Sequence, residues 1–361
     1  MIELQIDGQL YSGFVNATVA RSVTTLAGTF SIGMTAQQGR VFPVTLGSAV
    51  VIFVDETQVI NGFVETIDVD YDSESHSIVV GGRDRTADFI DSSVGAVSGL
   101  QPGITLTELI RRTLDSMGLD EIQVVTEVGS EPFDEFELAP EIDQTGDEFI
   151  EPFTRARTVL ATTDGKGNIV LTRAGEQSAP GAIKQKVGAK DNTVLSASLA
   201  LDTTERFSRY TVKSQDVFSR ETEGLDLDTA IDVVGAAADS EIRTSRNLTI
   251  EAEENLITIS DVESRAEWEA NIARAKGTQA EFVVRGYSVN GKLWEPNQKV
   301  AVDDDFLDIR STMLIESVVY ELSLSGGSTT RITCVPPDSY LVAAERDAVS
   351  ARIDVMGGDF F

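Results

Sequence analysis

The chain has 361 residues, 41% of them hydrophobic, which is enough for about two to four domains with cores of their own. Its 29 basic and 59 acidic residues give a formal net charge of −30. This charge argues against a broad basic surface for nucleic acid or anionic lipid, and it means that any oligomer needs a well-formed interface. The single cysteine excludes an intrachain disulfide, and the single histidine excludes sites that need several histidines.

The chain starts with MIELQIDG, which has neither the basic nor the apolar segment of a secretion signal. No run approaches the roughly 18 apolar residues that a membrane span requires. We therefore expect no membrane anchor, and we expect assembly in a reducing cytoplasm.

Strict alternation of apolar and polar residues predicts antiparallel strands over the first part of the chain. Ile2, Leu4 and Ile6 alternate with polar residues, and Asp7-Gly8 predicts a hairpin turn. Further strands are predicted at 30–34, 63–71 and 77–80. We interpret residues 1–94 as a first β-barrel domain, to which residues of about 174–205 return.

An acidic α/β insert is predicted for residues 95–173. Thr105 and Glu108 form a capping box for a helix that stops at Gly118. A second helix is expected at 147–157. The turn Asp164-Gly-Lys-Gly-Asn168 then joins two strands that close the insert.

Residues 206–339 are interpreted as a second β-barrel domain containing a helix at 260–276, and residues 340–361 as a C-terminal tail with a short helix. A strand at 193–201 is expected to pair with one at 206–213, and residues 218–239 are expected to form a loop. Ser260 and Glu263 suggest a capping box. The strand–hairpin–strand order of residues 59–82 is found again at 313–337, which is a weak similarity between two parts of the chain.

Candidate chemistry is sparse. In the segment Gly81-Gly82-Arg83-Asp84-Arg85 the glycines are not followed by the Gly-Lys-Ser/Thr of a phosphate loop, so paired charges at a structural corner are the favoured interpretation. The run Asp303-Asp-Asp305 lacks the alternate spacing and glycine of a calcium loop and suggests a solvated turn. We predict no catalytic, metal or cofactor site.

One basic cluster departs from the acidic background. Lys184, Lys186 and Lys190 fall within one short segment. They are either part of a solvated loop or a contact for an acidic neighbour, such as a second copy of the chain.

Taken together, several segments resemble the baseplate hub proteins of Mu-like contractile-tailed bacteriophages, which are relatives of the T-even phage hub. The resemblance rests on the order of three motifs, GRDRTAD, RAEWE and GKLWEPN, and on the longer stretches ITLTELIRRTLDSMGL and TTDGKGNIVLTRAG. It extends over most of the chain, although residues 218–239 match nothing in the pattern.

The resemblance implies a mainly β protein with two tail-tube-like antiparallel β-barrel domains, a smaller α/β insert and a C-terminal region. It implies a homotrimer whose six barrels form a pseudo-sixfold ring between the sixfold tail tube and the threefold central spike. The implied partners are the tail tube protein, the central spike protein, other baseplate proteins and the tape measure. DNA would pass through the ring during genome ejection without specific binding.

The resemblance also gives the corner a role. Gly81 and Gly82 would allow close approach of the backbone at the exit from the first barrel, while Arg83 and Arg85 would fix the corner by charge-assisted hydrogen bonds. Trp268 and Trp294 would anchor packing in the second β-domain, or would be interface hot spots if they were exposed.

Two other functions remain open from the sequence. One is an acidic tail module that binds carbohydrate or calcium. The other is a cell-wall hydrolase associated with the baseplate, for which no paired acid and base motif stands out.

Overall fold

The structure is a computed structural model that describes residues 1–6, 8–35, 44–72, 76–98, 100–129, 132–133, 140–215, 232–243, 245–252 and 259–340. The helix and tail predicted after Tyr340 lie outside the described residues. So does Asp7 of the first predicted turn.

The N-terminal β-unit is built from strands whose apolar residues alternate into one core, as Ile2, Leu4 and Ile6 do. The strands are β1 (Ile2–Ile6), β2 (Gln9–Tyr11), β3 (Asn16–Ser22), β4 (Thr29–Thr35), β5 (Ala49–Val54), β6 (Thr57–Tyr71) and β7 (His76–Asp84). Adjacent strands all pair antiparallel, in the order β3-β4-β7-β6-β5-β1-β2.

The insert has its own apolar core, in which Leu109, Ile110, Phe149 and Ile169 are buried. The helix Leu106–Met117 is capped by the Thr105 side chain, which accepts a hydrogen bond from the backbone N–H of Glu108, and it ends at Gly118, whose φ is 73°. Its elements are α1 (Ala87–Asp91), β8 (Ile104–Thr105), α2 (Leu106–Met117), β9 (Val124–Thr126), β10 (Pro132–Phe133), α3 (Gly146–Ala156), β11 (Leu160–Thr163) and β12 (Ile169–Thr172).

The rest of the chain supplies a second β-unit and a small α/β layer. Its strands are β13 (Gln177–Ser178), β14 (Ile183–Gln185), β15 (Val194–Leu201), β16 (Arg209–Gln215), β17 (Asp232–Ala238), β18 (Asn247–Glu251), β19 (Thr278–Arg285), β20 (Ser288–Val289), β21 (Lys292–Leu293), β22 (Gln298–Asp304), β23 (Ile309–Ser323) and β24 (Gly327–Val335). The helix α4 (Ile259–Lys276) precedes β19.

The second β-unit follows the order β15-β19-β24-β23, with β22 paired to the first half of β23. The hairpin between β20 and β21 turns at Asn290 and Gly291, which both have positive φ, as the Asn-Gly signal predicts.

Strand pairing corrects the predicted return of residues 174–205 to the first β-unit. Strands β13 and β14 pair parallel with β22, and β15 pairs antiparallel with β19, so these strands belong to the second unit. Alternation identifies a strand, but it does not identify the partner of that strand.

Residues 206–276 also differ from the prediction. Strand β16 pairs with β17 and β18 rather than with β15, and these three strands form a separate sheet covered by α4, where Val212, Val262 and Ala266 are buried. β17 lies in the segment predicted to be a loop; its first residues follow a stretch outside the described part. Because α4 begins at Ile259, Ser260 lies inside the helix and not at the position before it that the predicted capping box requires.

The two β-units are joined directly. The second half of β23 pairs antiparallel with β3, from Ser317 opposite Ser22 to Ser323 opposite Asn16. One apolar core continues through both units, with Val19 and Tyr320 buried at this joint. The prediction of a mainly β protein is confirmed.

Candidate assembly interface

The two β-units have the same arrangement of strands, and each has a shift of strand register at the same position. β6 and β23 are each 15 residues long, and each forms a hairpin with a 9-residue strand, β7 or β24. The register of the first hairpin shifts between Val64 and Thr66, and that of the second between Ile315 and Ser317. The residue skipped is a glutamate in both, Glu65 and Glu316.

The neighbouring strands preserve this correspondence. Two residues before the skipped glutamate, Phe63 faces Ala49 of β5 and Leu314 faces Lys299 of β22. On the other side, β4 and β19 occupy the same place against β7 and β24. The strand pairing therefore agrees with the weak similarity noted in the sequence and extends it to four strands in each unit.

The glycines of the corner at the end of β7 are required by close backbone approach. A Cβ atom on Gly82 would lie 2.0 Å from the carbonyl oxygen of Phe63 and 2.8 Å from the ring of Phe30. A Cβ atom on Gly81 would lie 2.6 Å from the Thr66 hydroxyl oxygen. Both glycines lie inside strand β7 of the sheet and not in the loop that a phosphate site requires.

Arg83 is held by two carboxylates. Its Nε and Nη2 each donate a 2.8 Å hydrogen bond to Glu65, and its Nη1 donates a 3.1 Å hydrogen bond to Asp91 at the end of α1. The hydrogen bonds to Glu65 and Asp91 raise the pKa of the guanidinium further above its usual range. Arg83 therefore ties the skipped residue of β6 to the first helix of the insert.

Asp84 is buried and meets the insert at β11. It accepts a 2.8 Å hydrogen bond from the Thr163 hydroxyl, while Nη2 of Arg21 donates a 2.7 Å hydrogen bond to the Thr163 carbonyl oxygen. Burial raises the pKa of the Asp84 carboxyl to about 6, although the Thr163 hydrogen bond and the charge of Arg21 act in the opposite direction. Arg21 also reaches Glu295 of the second unit at 3.8 Å.

Arg85 lies beside the insert's Gly-Lys-Gly turn. Its Nη1 is 3.1 Å from the Glu121 carboxylate, and Asn61 on β6 donates a 2.8 Å hydrogen bond to the Lys166 carbonyl oxygen. A Cβ atom on Gly165 would lie 2.5 Å from the Val59 carbonyl oxygen, and one on Gly167 would lie 2.6 Å from Cδ of Arg85. The predicted hairpin turn is therefore also the surface by which the insert contacts the first β-unit.

The lysine cluster and the Asp303-Asp-Asp305 run, considered separately in the sequence, lie together in the fold. Parallel pairing of β14 with β22 places Lys184 opposite Asp303, and Nζ of Lys186 is 2.6 Å from the Asp303 carboxylate. That hydrogen bond raises the pKa of Lys186. Lys184 contacts Asp191 at 3.3 Å, and Lys190 is exposed.

The other two aspartates of the run are used within the chain. One carboxylate oxygen of Asp304 accepts the backbone N–H groups of Phe306 and Leu307 at 2.8 and 2.9 Å. Asp305 accepts the backbone N–H of Val187 at 3.0 Å. The prediction of a solvated turn is therefore wrong for most of the run, because Asp303 and Asp304 end strand β22, Asp304 is buried, and only Asp305 lies in the turn that follows.

The two tryptophans differ in burial. Trp294 is 1% exposed within the core that both β-units share, and the Tyr320 hydroxyl donates a hydrogen bond to its carbonyl oxygen. Trp268 is half-buried on α4, with its ring centroid 6.3 Å from that of Tyr340. In this chain Trp294 is a core residue, and Trp268 packs α4 against the segment after β24.

Within the described ranges, no group of three or more histidine, cysteine and acidic residues is arranged to hold a metal ion. Cys334 is buried, and His76 is exposed at the tip of the β6–β7 hairpin, where it stacks on Tyr71. None of the described helices combines the length and the apolar character needed to cross a membrane.

Two segments of the chain match models of known protein families. Residues 1–84 match the N-terminal domain of the Mu phage baseplate assembly protein GpP-like family, and residues 258–343 match the fourth domain of Mu phage baseplate assembly protein GpP. Baseplate hub protein gp44 of Escherichia phage Mu is 28% identical over 369 residues, covering 99% of this chain and 92% of that protein.

Two solved structures have the same fold over 94% of this chain. The 43 kDa tail protein of prophage MuSo2 from Shewanella oneidensis is 28% identical, with a TM-score of 0.78 and 99% of its own chain covered. The tail protein from Neisseria meningitidis MC58 is 16% identical, with a TM-score of 0.80 and 97% covered.

The fold and these relatives define a structural protein of the phage tail. Over nearly its whole length the chain is similar to the baseplate hub protein of phage Mu, and its first and last β-rich segments match family models of Mu phage baseplate assembly proteins. Its place is accordingly the tail baseplate of a virion.

Proposed function

We propose that three copies of this chain form a ring of six β-units that adapts the sixfold tail tube to a threefold central spike. The observation that carries the proposal is the shared plan of the two units, with equivalent strands and the register shift at Glu65 in one and Glu316 in the other. Three chains with two such units each would present six similar surfaces to the tube and three identical chains to the spike.

The joint between β23 and β3 supports a ring built by repetition. It places the two units of one chain side by side in one sheet, with a continuous apolar core beneath. Repeating the same arrangement between copies would close a ring without a second kind of contact. In that ring each β-unit forms a tail-tube-like barrel, while the insert and the C-terminal region lie around or beneath it.

The charge of the sheet supports a conduit for DNA. On the face of the main sheet away from the core lie Asp68 and Asp70 of β6, together with Glu281 of β19 and Glu321 of β23. Arg331 lies between the two glutamates, 2.7 Å from Glu281 and 3.2 Å from Glu321, so its charge is already matched. If this face lines the ring, its carboxylates repel DNA phosphates and the genome slides through without specific binding.

The partners in this arrangement are the tail tube protein, the central spike protein, other baseplate proteins and the tape measure. The chain acts as a structural adapter and not as an enzyme, and it assembles in the host bacterial cytoplasm.

The oligomeric state tests the proposal. Size-exclusion chromatography with light scattering, performed on the full chain alone and with its spike protein, should give a species with three copies of this chain in at least one condition. A single copy under both conditions would overturn the ring.

A further inference from the structure

Two strand edges of the main sheet have no partner in the described part of the chain. β5 pairs with β6 only as far as Phe63, so residues 66–71 of β6 pair with β7 on one side alone. β15, which lies at one end of the sheet order, pairs with β19 alone among the described strands. Exposed edges of this length are normally covered, because their free backbone groups recruit other strands.

These two edges are the counterparts of the strands that form the joint inside the chain. With Glu65 matched to Glu316, the outer half of β6 corresponds to the second half of β23. β15 corresponds to β3, because each pairs with an equivalent strand, β19 in the second unit and β4 in the first. Ser196 of β15 faces Val283 of β19, and at the equivalent position Asn16 of β3 faces Gly33 of β4. Among the described strands, the free edge of the first unit is therefore the outer half of β6, the counterpart of the second half of β23. The free edge of the second unit is β15, the counterpart of β3.

We propose that the outer half of β6 in one copy pairs antiparallel with β15 of the next copy, repeating between copies the β23–β3 joint seen within the chain. This inference rests on the three-copy ring proposed above and adds the strands and register of its contact. In the intrachain joint Tyr320 faces Val19 and Leu322 faces Ala17. The equivalent pairs between copies are Val69 with Leu199 and Tyr71 with Ala197.

The exposure of side chains on these edges supports the match. Tyr320 is completely buried in the intrachain joint, whereas its counterpart Val69 is 63% exposed and the neighbouring Tyr71 is 78% exposed. On the facing edge Leu201 is 70% exposed. Pairing of the two edges covers these apolar side chains with one another, which is the outcome expected for an exposed apolar edge.

Charge is compatible with this register. The residues on the other face of β6 are Asp68 and Asp70, and the register places them opposite Ala200 and Ser198. β15 has the sequence VLSASLAL, which contains no charged residue. No like charges therefore face each other across the joint, although both copies carry a large negative charge.

Cysteine cross-linking tests the register. The variant Tyr71→Cys/Ala197→Cys carries one cysteine on each edge, at exposed positions that the proposal places directly opposite each other. The matched control Tyr71→Cys/Leu201→Cys uses the same face but shifts one cysteine by four residues, about 13 Å along the strand, which is beyond the roughly 7 Å Cα separation that a disulfide can bridge. The native Cys334 is buried and common to both variants.

Both variants are oxidised in the assembly prepared for light scattering, with the spike protein where the ring requires it. The in-register variant should migrate largely as covalent trimer on a non-reducing gel, and the control should remain a single chain. A mixture of the two single variants, Tyr71→Cys and Ala197→Cys, should stop at covalent dimer.

The outcomes separate the two proposals. Three copies by light scattering without cross-linking of the in-register variant would overturn the β6–β15 joint and leave the ring intact. Equal cross-linking of the control would overturn the register. A covalent ladder beyond three chains would support the joint and overturn closure at three. A single chain in every condition would overturn both. Equal melting temperatures of the reduced variants and the unmodified protein establish that folding is unaffected.

Discussion

The carboxylate of Asp84 and the hydroxyl of Thr163 form a 2.8 Å hydrogen bond in which both residues are buried. Asp84 ends β7 of the first β-unit, and Thr163 ends β11 of the insert. The same hydroxyl accepts the backbone N–H of Gly165 at 3.1 Å, so the bond also fixes the turn that lies on β6. The other Asp84 oxygen, Oδ1, is buried and has no hydrogen-bond partner among the residues that the structure describes. This polar contact orients the insert on the main sheet.

This contact predicts a pH-dependent contribution to stability. The pKa of Asp84 is about 6 in the folded chain against an ordinary value of 3.8, so between these values the folded state keeps a proton that the unfolded state has lost. The stability contribution of this carboxyl is therefore largest below pH 4 and falls as the pH rises to about 6, by about 2–3 kcal/mol. We expect Asp84→Asn to be more stable than the unmodified chain at pH 8, with the difference disappearing near pH 4.

Chemical denaturation at pH 4, 5, 6 and 8 measures this difference. Asp308→Asn, at an exposed turn, supplies the background effect of removing one carboxylate from a strongly acidic chain. A stability difference between the Asp84→Asn variant and the unmodified chain that does not change with pH would contradict the prediction.

The close approach at Gly82 predicts a large effect of a single methyl group. Gly82→Ala places a Cβ atom 2.0 Å from a backbone oxygen, so strands β6 and β7 must move apart beneath the corner. We expect a loss of more than about 3 kcal/mol of unfolding free energy, or failure to fold. Gly95→Ala is the matched control, because its nearest heavy atom would be 3.9 Å away, and it should change stability by less than about 0.5 kcal/mol. Thermal melting of both variants distinguishes the two positions.

Features that depend on a few consecutive residues were predictable from the sequence. The cap at Thr105, the stop at Gly118 and the turn at Asn290-Gly291 are local, because each depends on the conformational preference of the residue itself. The mainly β character followed for the same reason, since alternation is visible along one strand.

Partner choice was not predictable, because it depends on residues far apart in the chain. The sequence does not indicate that β14 pairs with β22, and hence that Lys186 meets Asp303. Nor does it connect Asp84 with Thr163, which are separated by 79 positions. In the sequence the equivalence of the two units appeared only as a similar order of predicted strands. The features that they share are strand register and a skipped residue rather than side-chain identity.

A substitution at Arg83 can separate the stability that comes from its charge from the stability that comes from its hydrogen-bond geometry. Its guanidinium donates to both oxygens of Glu65 and also to Asp91, and the ammonium of lysine cannot reproduce this fork. We expect Arg83→Lys to cost about 1 kcal/mol despite the conserved charge, because the side chain is only partly exposed to solvent. Denaturation at low and high salt should show a loss in both buffers. A loss only at low salt would mean that the charge alone matters.

The two tryptophans predict unequal losses of stability and distinct fluorescence. Trp294 lies in the core common to both β-units, so Trp294→Ala should remove about 3–5 kcal/mol of unfolding free energy. Trp268 is half-buried, and Trp268→Ala should cost about 1–3 kcal/mol. Because the chain has two tryptophans, Trp268→Phe leaves the emission of Trp294 alone, which should be blue-shifted and poorly quenched by acrylamide. Strong quenching in that variant, or equal losses for the two alanine variants, would contradict the placement of Trp294 at the centre of the joint core.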